Sequence, residues 1–201
     1  GDKHWQYSAT YAEGGKKKEV VSYFDGSLRN RQVVSRISSI GEAVAGETVY
    51  DNQGRAAIQV LPVPVGDPKI KYYPLLNQAE GTQLSYNWED FDEDGGSCVS
   101  SLTPMSKSSG ASKYYSDSNS DKDGINAYLP DAKLYPFSQV EYMPDNTGRI
   151  RRQGGVGLEH QLSSTGVDRS TRYLYSYPQQ SELDRLFGSQ IGYNNHYKNN
   201  T

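Results

Sequence analysis

Residues 49–60 read VYDNQGRAAIQV, and two other stretches of the chain follow the same plan. Residues 22–33 read SYFDGSLRNRQV, and residues 141–153 read EYMPDNTGRIRRQ. In each stretch an arginine stands four residues after an aspartate, and an aromatic residue precedes the aspartate. The aspartate and arginine are either a catalytic pair that occurs three times or part of the turn in a repeated structural unit.

Hairpin geometry gives each recurring residue type a structural role. Glycine supplies the positive φ that a tight loop requires, and aspartate accepts a hydrogen bond from the amide two residues later. Arginine begins the returning strand and reaches the aspartate, or a neighbouring unit's carbonyls, through its planar guanidinium. The tyrosine ring covers the turn while its hydroxyl stays in water. The recurring positions are Tyr23, Asp25 and Arg29 in the first unit, Tyr50, Asp51, Gly54 and Arg55 in the second, and Tyr142, Asp145, Gly148 and Arg149 in the third.

The composition favours an all-β fold. The 201-residue chain is 34% hydrophobic and contains 17 tyrosines and 20 glycines, which suits short half-buried strands and turns better than broad helical faces. Over residues 1–65, runs such as KEVVSYF, RQVVSRI and AAIQVLPV alternate with turn sequences rich in Gly, Asp and Asn. This alternation predicts consecutive antiparallel β-hairpins.

Residues 66–136 break this pattern. They are acidic, rich in Ser and Gly, and weakly periodic, so they predict a long irregular insertion between repeat units. Residues 137–201 restore the strand–turn–strand pattern and predict a third hairpin, followed by one further strand in the run TRYLYSY.

One short helix is expected at residues 178–188. Ser181 is a candidate N-cap, and Leu183, Leu186 and Phe187 recur at helical spacing. Gly188 can end the helix in the left-handed conformation.

The three units resemble the YD repeats of RHS-repeat proteins. The resemblance is closest in YDNQGR at residues 50–55 and in DNTGR at residues 145–149. The longer runs ETVYDNQGRAAIQVLPVP, PDNTGRIRRQGGVG and ELDRLFG resemble the region that precedes the repeat core of large bacterial RHS-type surface proteins. The first unit departs from the repeat, because one extra residue separates Tyr23 from Asp25 and Leu28 stands where glycine is expected.

The resemblance implies a ribbon of β-hairpins that spirals into a hollow shell. In that family the shell encloses or presents a variable polypeptide, often a toxin. The chain is therefore expected to be a non-catalytic structural fragment of a much larger secreted or cell-surface protein. Its expected partners are the remainder of its own chain or associated surface and secretion proteins. The family's self-cleavage motif and a terminal toxin domain are not recognisable in these residues, so neither activity is expected.

The alternative function is that of an adhesin or binding module. Tyrosine-rich loops stack well on sugars and pack well against proteins, and such binding could depend on calcium. A packing role for the same rings is the competing interpretation. The tyrosines concerned are Tyr72, Tyr73, Tyr114, Tyr115, Tyr173, Tyr175 and Tyr177.

An acidic loop is the candidate calcium site, and no other cofactor is expected. Asp117, Asn119, Asp121 and Asp123 place oxygen-bearing side chains at alternate positions, from which one tight loop can offer several oxygens to a hard cation. Neither this loop nor a second one has the glutamate that an EF-hand uses as its last ligand, so a solvated acidic loop is the competing interpretation. The second loop contains Asp90, Asp92, Asp94 and Gly95.

Charge and residue content argue against several other classes. A formal net charge of −3 with mixed signs disfavours nucleic-acid binding through a basic face. The sequence contains no run of about eighteen apolar residues, so no membrane span is predicted. The single cysteine, Cys98, excludes an intrachain disulfide framework, and the run GGVG at residues 154–157 lacks the strand–helix setting of a phosphate-binding loop. The three histidines, His4, His160 and His196, are not accompanied by a nucleophile elbow of the G-x-S-x-G kind, so an enzyme is not expected.

Overall fold

The computed structural model describes residues 3–37, 41–93, 97–98, 102–162 and 167–188. Within these ranges the fold is a nine-stranded antiparallel sheet with a two-stranded ribbon and two short α-helices. The sheet order is β1-β2-β3-β4-β5-β9-β10-β11, and β6 pairs with β4 beside this path. The expected all-β class with few helices is confirmed.

The elements follow one another along the chain with short connections, except where the insertion intervenes. The strands are β1 His4–Tyr11, β2 Lys17–Phe24, β3 Asn30–Ile37, β4 Ala43–Tyr50, β5 Ala56–Val60, β6 Val63–Pro64, β7 Asp92–Glu93, β8 Ser97–Cys98, β9 Phe137–Tyr142, β10 Ile150–Gly154 and β11 Thr171–Arg172. The helices are α1 Gly110–Tyr114 and α2 Gln180–Phe187, and single 3-10 turns lie at Glu13–Gly15, Trp88–Asp90 and Gly124–Tyr128.

The three repeated turns lie at the same end of the strands. They connect β2 to β3, β4 to β5 and β9 to β10, and each of these pairs is an antiparallel hairpin. Strand β5 pairs directly with β9, so the sheet continues across the insertion as if residues 66–136 were absent. We call the end that carries these three turns the turn end of the sheet.

The insertion forms the second wall of the main hydrophobic core. Val49, Ile58 and Phe137 of the sheet pack in one buried cluster with Tyr86 and Met105 of the insertion. The rings of Tyr86 and Phe137 have centroids 5.7 Å apart, and the Tyr86 hydroxyl donates to the carbonyl of Thr103 at 2.8 Å. We call this side of the sheet the covered face and the opposite side the open face. The segment predicted as an insertion between units thus supplies apolar residues that the sparse aliphatics of the strands lack.

A buried polar chain fastens the insertion to the sheet. The Gln32 side-chain amide donates to Glu47 Oε1 at 2.9 Å, and the Asn77 amide donates to Glu47 Oε2 at 2.7 Å. Asn77 Oδ1 in turn accepts from the backbone N–H of Ala111 at 2.9 Å, at the start of α1. Gly110, the residue before Ala111, has a φ of 55°, and a Cβ at this position would clash with the carbonyl oxygen of Leu76. Because Gln32, Glu47 and Asn77 are all buried, these hydrogen bonds take the place of water, and Gln32 has further bonds with the backbone N–H and carbonyl of Tyr73.

The C-terminal helix is shorter than expected and its ends are built differently. It spans Gln180–Phe187, so Ser181 lies inside its first turn and the prediction that Ser181 is the cap is wrong. The N–H of Gln179 instead donates to Glu182 Oε2 at 2.9 Å. Gly188 does end the helix at a φ of 90°, but its ψ of 158° is extended and not left-handed helical. Leu183 is buried, whereas Leu186 and Phe187 are exposed.

Replacement of Glu47 by alanine is expected to destabilise the fold strongly. The change leaves the side-chain amide of Asn77 without its acceptor, at a cost of about 1–3 kcal/mol for a buried donor. It also removes one of two acceptors of the Gln32 amide, which still donates to the Tyr73 carbonyl at 3.0 Å. Urea unfolding of the 201-residue chain measures the loss. Glu42, which is exposed, is the matched control, and Glu42→Ala is expected to change stability by less than about 0.5 kcal/mol. Equal effects of the two substitutions would contradict the assigned role of Glu47.

Candidate functional site

The first two turns are built by the same hydrogen bonds. Asp25 Oδ1 accepts from the backbone N–H of Ser27 at 2.8 Å and of Arg29 at 3.0 Å, while Asp25 Oδ2 accepts from Arg29 Nε at 2.8 Å. The backbone N–H of Asp25 donates to the Arg29 carbonyl at 2.9 Å and closes a three-residue loop. The aspartate therefore holds both the loop backbone and the plane of the guanidinium.

The second turn repeats these contacts within a few tenths of an ångström. Asp51 Oδ1 accepts from the N–H of Gln53 at 3.1 Å and of Arg55 at 2.7 Å, and Asp51 Oδ2 accepts from Arg55 Nε at 2.7 Å. The N–H of Asp51 donates to the Arg55 carbonyl at 2.9 Å. Asp51 is the more buried of the two carboxylates, with its side chain 6% exposed against 23% for Asp25.

The third turn reaches the same ion pair through a longer loop. Met143 and Pro144 separate Tyr142 from Asp145, and the loop is closed by the N–H of Met143 donating to the Arg149 carbonyl at 2.7 Å. Asp145 Oδ1 accepts from the N–H of Thr147 at 3.1 Å, and Asp145 Oδ2 accepts from Arg149 Nη2 at 2.6 Å. Hydrogen bonds from Thr147 and then Arg149 lower the pKa of Asp145 to about 2, so its carboxylate is ionised at neutral pH.

The residue before each arginine has a positive φ. The angle is 59° at Leu28, 80° at Gly54 and 71° at Gly148. The glycine that the sequence predicts at this position is therefore required by the backbone in the second and third turns. Leu28 adopts the same conformation against its steric preference, which costs on the order of 1 kcal/mol, and its side chain gains little in return because the residue is 67% exposed.

Each arginine lies over the ring of an aromatic residue in the next unit. The guanidinium carbons of Arg29 and Arg55 are 4.9 Å from the Tyr50 ring centroid and 4.5 Å from the Tyr142 ring centroid. Arg149 is likewise 4.9 Å from the ring centroid of Tyr175. These distances are in the range of favourable cation–π contacts.

Strand register explains why the contact recurs. Gln32 pairs with Glu47, and a step of three residues along both strands toward the turn end brings Arg29 opposite Tyr50. Ile58 pairs with Gln139, and the same step brings Arg55 opposite Tyr142. The same step from the pair formed by Arg152 and Arg172 brings Arg149 opposite Tyr175. By strand alternation Tyr50 and Tyr142 lie on the open face, opposite Val49 and Gln139 of the covered face.

The tyrosine hydroxyls complete the contact between successive units. Tyr50 donates to the carbonyl of Asn30 at 2.9 Å, and Tyr142 donates to the carbonyl of Ala56 at 2.7 Å. Each acceptor is the residue directly after the arginine that lies over the ring. We call the repeated set of aspartate, arginine and next-unit tyrosine the turn ladder.

The structure corrects the aromatic position of the first unit. Phe24 pairs with Asn30, as Tyr50 pairs with Ala56 and Tyr142 pairs with Ile150. Phe24 is therefore the equivalent residue, and Tyr23 is not part of the turn ladder. Tyr23 donates to the carbonyl of Ile70 at 2.8 Å and meets the ring of Tyr72 edge-on at 5.5 Å.

One member of the turn ladder, Tyr175, escaped sequence reasoning, and strand register puts His4 at the corresponding place beside the first unit. Tyr175 receives the third arginine, although no aspartate follows it in the sequence. His4 pairs directly with Phe24, so it holds the place that Arg29 holds opposite Tyr50. The signal for Phe24 was its position directly before aspartate, which Tyr50 shares. No local motif marks His4 or Tyr175, because both positions follow from register alone.

The candidate calcium loop uses its oxygens within the chain. Asp117 forms an ion pair with Lys107 at 3.2 Å, Asn119 Oδ1 accepts from the N–H of Asp121 at 2.9 Å, and Asp121 Oδ2 accepts from the Asn126 amide at 3.0 Å. Among the residues that the structure describes, no three His, Cys, Asp or Glu side chains gather as a metal site would require, and Asp123 joins no such group.

The second acidic loop is also engaged where it is described. Asp90 Oδ2 accepts from the N–H of Asn87 at 2.8 Å, and Asp92 Oδ2 accepts from the N–H of Asn52 at 3.0 Å, next to the second turn. Asp94 and Gly95 lie outside the described residues. In the glycine run, the N–H groups of Gly155 and Gly157 donate to the carbonyls of His160 and Tyr135, so these amides already have acceptors within the fold.

The tyrosines proposed for ligand binding fall into two groups. Tyr72, Tyr73, Tyr114 and Tyr115 are half-buried, and all but Tyr72 pack against the core clusters. The rings of Tyr114 and Tyr115 meet edge-on at 5.0 Å. The remaining three, Tyr173, Tyr175 and Tyr177, are exposed at and beyond the last strand of the sheet.

The first part of the chain matches one protein family. Residues 3–97 match the family described as “Domain of unknown function (DUF6443)”. The match covers the first two turns and the beginning of the insertion and stops before the third turn. Neither the curated proteins nor the solved structures include a match to this chain. In the described residues no helix has the length and apolar content needed to cross a membrane.

Replacing Leu28 by glycine is expected to stabilise the protein. Glycine accepts a φ of 59° without the steric cost that leucine bears there, and the gain should be about 1 kcal/mol. Thermal unfolding of the chain measures it. Ser27→Gly in the same loop is the control, since Ser27 is not among the residues with positive φ, and it is expected to leave stability unchanged or slightly lower. A lower melting temperature for Leu28→Gly would contradict the interpretation.

A double-mutant cycle tests the contact between units. Arg55→Ala and Tyr142→Ala should each destabilise the fold, and their combined effect should fall short of the sum by about 0.5–1 kcal/mol, the usual size of a cation–π coupling. Urea unfolding of the four proteins gives the coupling. A parallel cycle of Arg55→Ala with Tyr128→Ala serves as control, since Tyr128 lies in the insertion and is 88% exposed. Additive effects of Arg55→Ala and Tyr142→Ala would contradict the assigned contact between these two residues.

Proposed function

We propose that this chain is a non-catalytic structural segment of a secreted or cell-surface RHS-repeat protein. Its hairpins would form part of the wall of a β-shell that encloses or presents a polypeptide cargo. The observation that carries the proposal is the turn ladder, in which the arginine of one hairpin packs on the aromatic ring of the next hairpin in three successive units. Such contacts join each hairpin to the next and can be repeated for any number of hairpins.

The hydrogen bonding of the turns supports a structural role over a catalytic one. Both carboxylate oxygens of Asp25 and Asp51 accept hydrogen bonds from their own loops. The guanidinium of Arg55 is engaged by both Asp51 and the Tyr142 ring. A carboxylate that serves as general base needs a lone pair directed at a substrate, and these carboxylates direct theirs at the turn.

The shape of the sheet gives further support. Each hairpin adds to the next by antiparallel pairing, and β5 and β9 pair although the insertion separates them in sequence. A sheet assembled in this way extends by repetition, as a shell wall does. The resemblance of residues 50–55 and 145–149 to YD repeats supports the larger parent protein, its surface or secreted location, and partners drawn from the same chain or from associated secretion proteins.

Electron cryo-microscopy of the longest natural polypeptide that contains these residues tests the proposal. The expected result is a continuous sheet in which further hairpins extend the turn ladder beyond Tyr175 and surround an enclosed polypeptide. A separate domain whose sheet stops at β1 and β11, with no enclosed chain, would contradict it.

One observation favours a binding module as the second candidate function. Tyr173, Tyr175 and Tyr177 alternate along one exposed stretch, as stacking residues for a glycan do. A glycan array of the purified chain, read with and without a chelator, tests this candidate. Binding that Tyr177→Ala removes and Tyr128→Ala preserves would favour the module over the shell, and calcium dependence would point to the Asp117 loop.

A further inference from the structure

The open face of the sheet carries small, uncharged side chains in its central strands. Across β2, β3 and β4, each valine on this face lies beside a serine or a glycine of the next strand. The pairs are Val20 with Ser35, Ser35 with Val44, Ser22 with Val33, and Val33 with Gly46. All six residues are half-buried by their neighbours in the sheet. Because branched side chains alternate with smaller ones, the surface that they form has little relief.

Strand alternation assigns these residues to the open face. Val34 and Ala45, which lie between them in the sequence, are buried on the covered face. The open face continues across β5 and β9 through Gln59, which pairs with Thr48 on one side and with Ser138 on the other. Gln59 is exposed in this structure. The surface therefore extends over five neighbouring strands, β2 to β5 and β9, and none of them is the first or last strand of the sheet.

Charge is nearly absent from this face. In the described strands β2 to β5 and β9, Lys18 is the only charged residue on the open face outside the turn ladder. Other charged residues of these strands, such as Glu19, Arg36 and Glu47, lie on the covered face. A sheet face that meets bulk water usually carries many polar and charged side chains. The open face is therefore unlike an ordinary solvent-facing surface.

The opposite side of the sheet has the properties of an outer surface. The insertion covers that side and exposes charged side chains of both signs to solvent, among them Lys113, Asp117, Lys122 and Asp123. A shell wall that turned this side inward would place residues 66–136 and their charges in the enclosed space. A wall that turned the open face inward leaves that space free and keeps the charges in water.

We propose that the open face lines the inside of the shell and contacts the enclosed polypeptide, while the insertion lies on the outside. This inference rests on the proposed shell function and adds to it the orientation of the wall and the surface that meets the cargo.

The chemistry of the open face fits a cargo that is held by enclosure. Tight protein interfaces are centred on side chains that fill pockets and on well-placed charged groups. Small neutral side chains such as those of Val33, Ser35 and Thr48 provide neither, and they contact apolar and polar segments alike. The face is therefore suited to an extended polypeptide of varied sequence, which touches the wall without being bound tightly to it.

Cysteine reactivity in the longest natural polypeptide that contains these residues tests the orientation. Gln59→Cys and Ser120→Cys are introduced separately after the other cysteines have been replaced by serine. Both positions are exposed in this structure, one on the open face and one on the insertion, so each reacts readily with a bulky maleimide unless other parts of the protein enclose it. In the native protein Gln59→Cys is expected to react at least about tenfold more slowly than Ser120→Cys, and the two rates should become equal in urea.

The other outcomes separate the orientation from the shell itself. A protected Ser120→Cys with a reactive Gln59→Cys would keep the shell but overturn the proposed orientation. Protection of both positions would also overturn it, because the insertion would then not lie on the outside. Free reaction at both positions would contradict the shell function, and this inference would fail with it.

Photo-crosslinking in the same polypeptide tests the contact with the cargo. The photoreactive residue p-benzoylphenylalanine in place of Gln59 is expected to cross-link to the enclosed segment, which mass spectrometry identifies. The same residue in place of Tyr128, on the exposed surface of the insertion, is the matched control and should give no such product. A protected Gln59→Cys without cross-links from position 59 would contradict the contact, and cross-links to the cargo from position 128 alone would reverse the wall.

Discussion

The ion pair between aspartate and arginine inside each turn is the interaction on which the sheet's organisation depends. Asp25 and Asp51 each bind the backbone of their own loop with one oxygen and the Nε of their arginine with the other. An arginine held through Nε has a fixed plane, and that plane is what lies on the aromatic ring of the next hairpin. A turn that only reversed the chain would present no such plane to the next hairpin, whereas this one does.

The insertion supplies what the ribbon of hairpins cannot. Strands that are rich in tyrosine and poor in large aliphatic residues bury little apolar surface by themselves. Tyr86 and Met105 close the covered face over Val49 and Ile58, and the buried contacts of Glu47 with Gln32 and Asn77 position that cover. The two faces of the sheet therefore have different roles, with stability concentrated on the covered face and contact between units on the open face.

Much of the fold could be predicted because its signals are local. Turn residues at fixed offsets and strand-like runs between them are enough to indicate the hairpins of residues 22–60 and 141–153. The predicted irregular segment was also found, but its role in the core was not predicted, because Tyr86 meets Phe137 from a strand far away in sequence. The helix near the C-terminus was predicted from the spacing of its apolar residues, yet Leu186 and Phe187 are exposed. Periodicity predicts a helix but does not show whether its apolar side packs against another element.

The sequence by itself determined the turns, since the aspartate that binds its own loop and the glycine with positive φ act over five residues of chain. Only the tertiary structure decided which aromatic residue each arginine meets. The partner of Arg55 is Tyr142, 87 positions later in the chain, because β5 and β9 pair across the insertion. The register of two strands sets that contact, and register is a property of the assembled sheet. For the same reason Phe24 replaces Tyr23 in the first unit, and Tyr175 enters the turn ladder with no motif of its own.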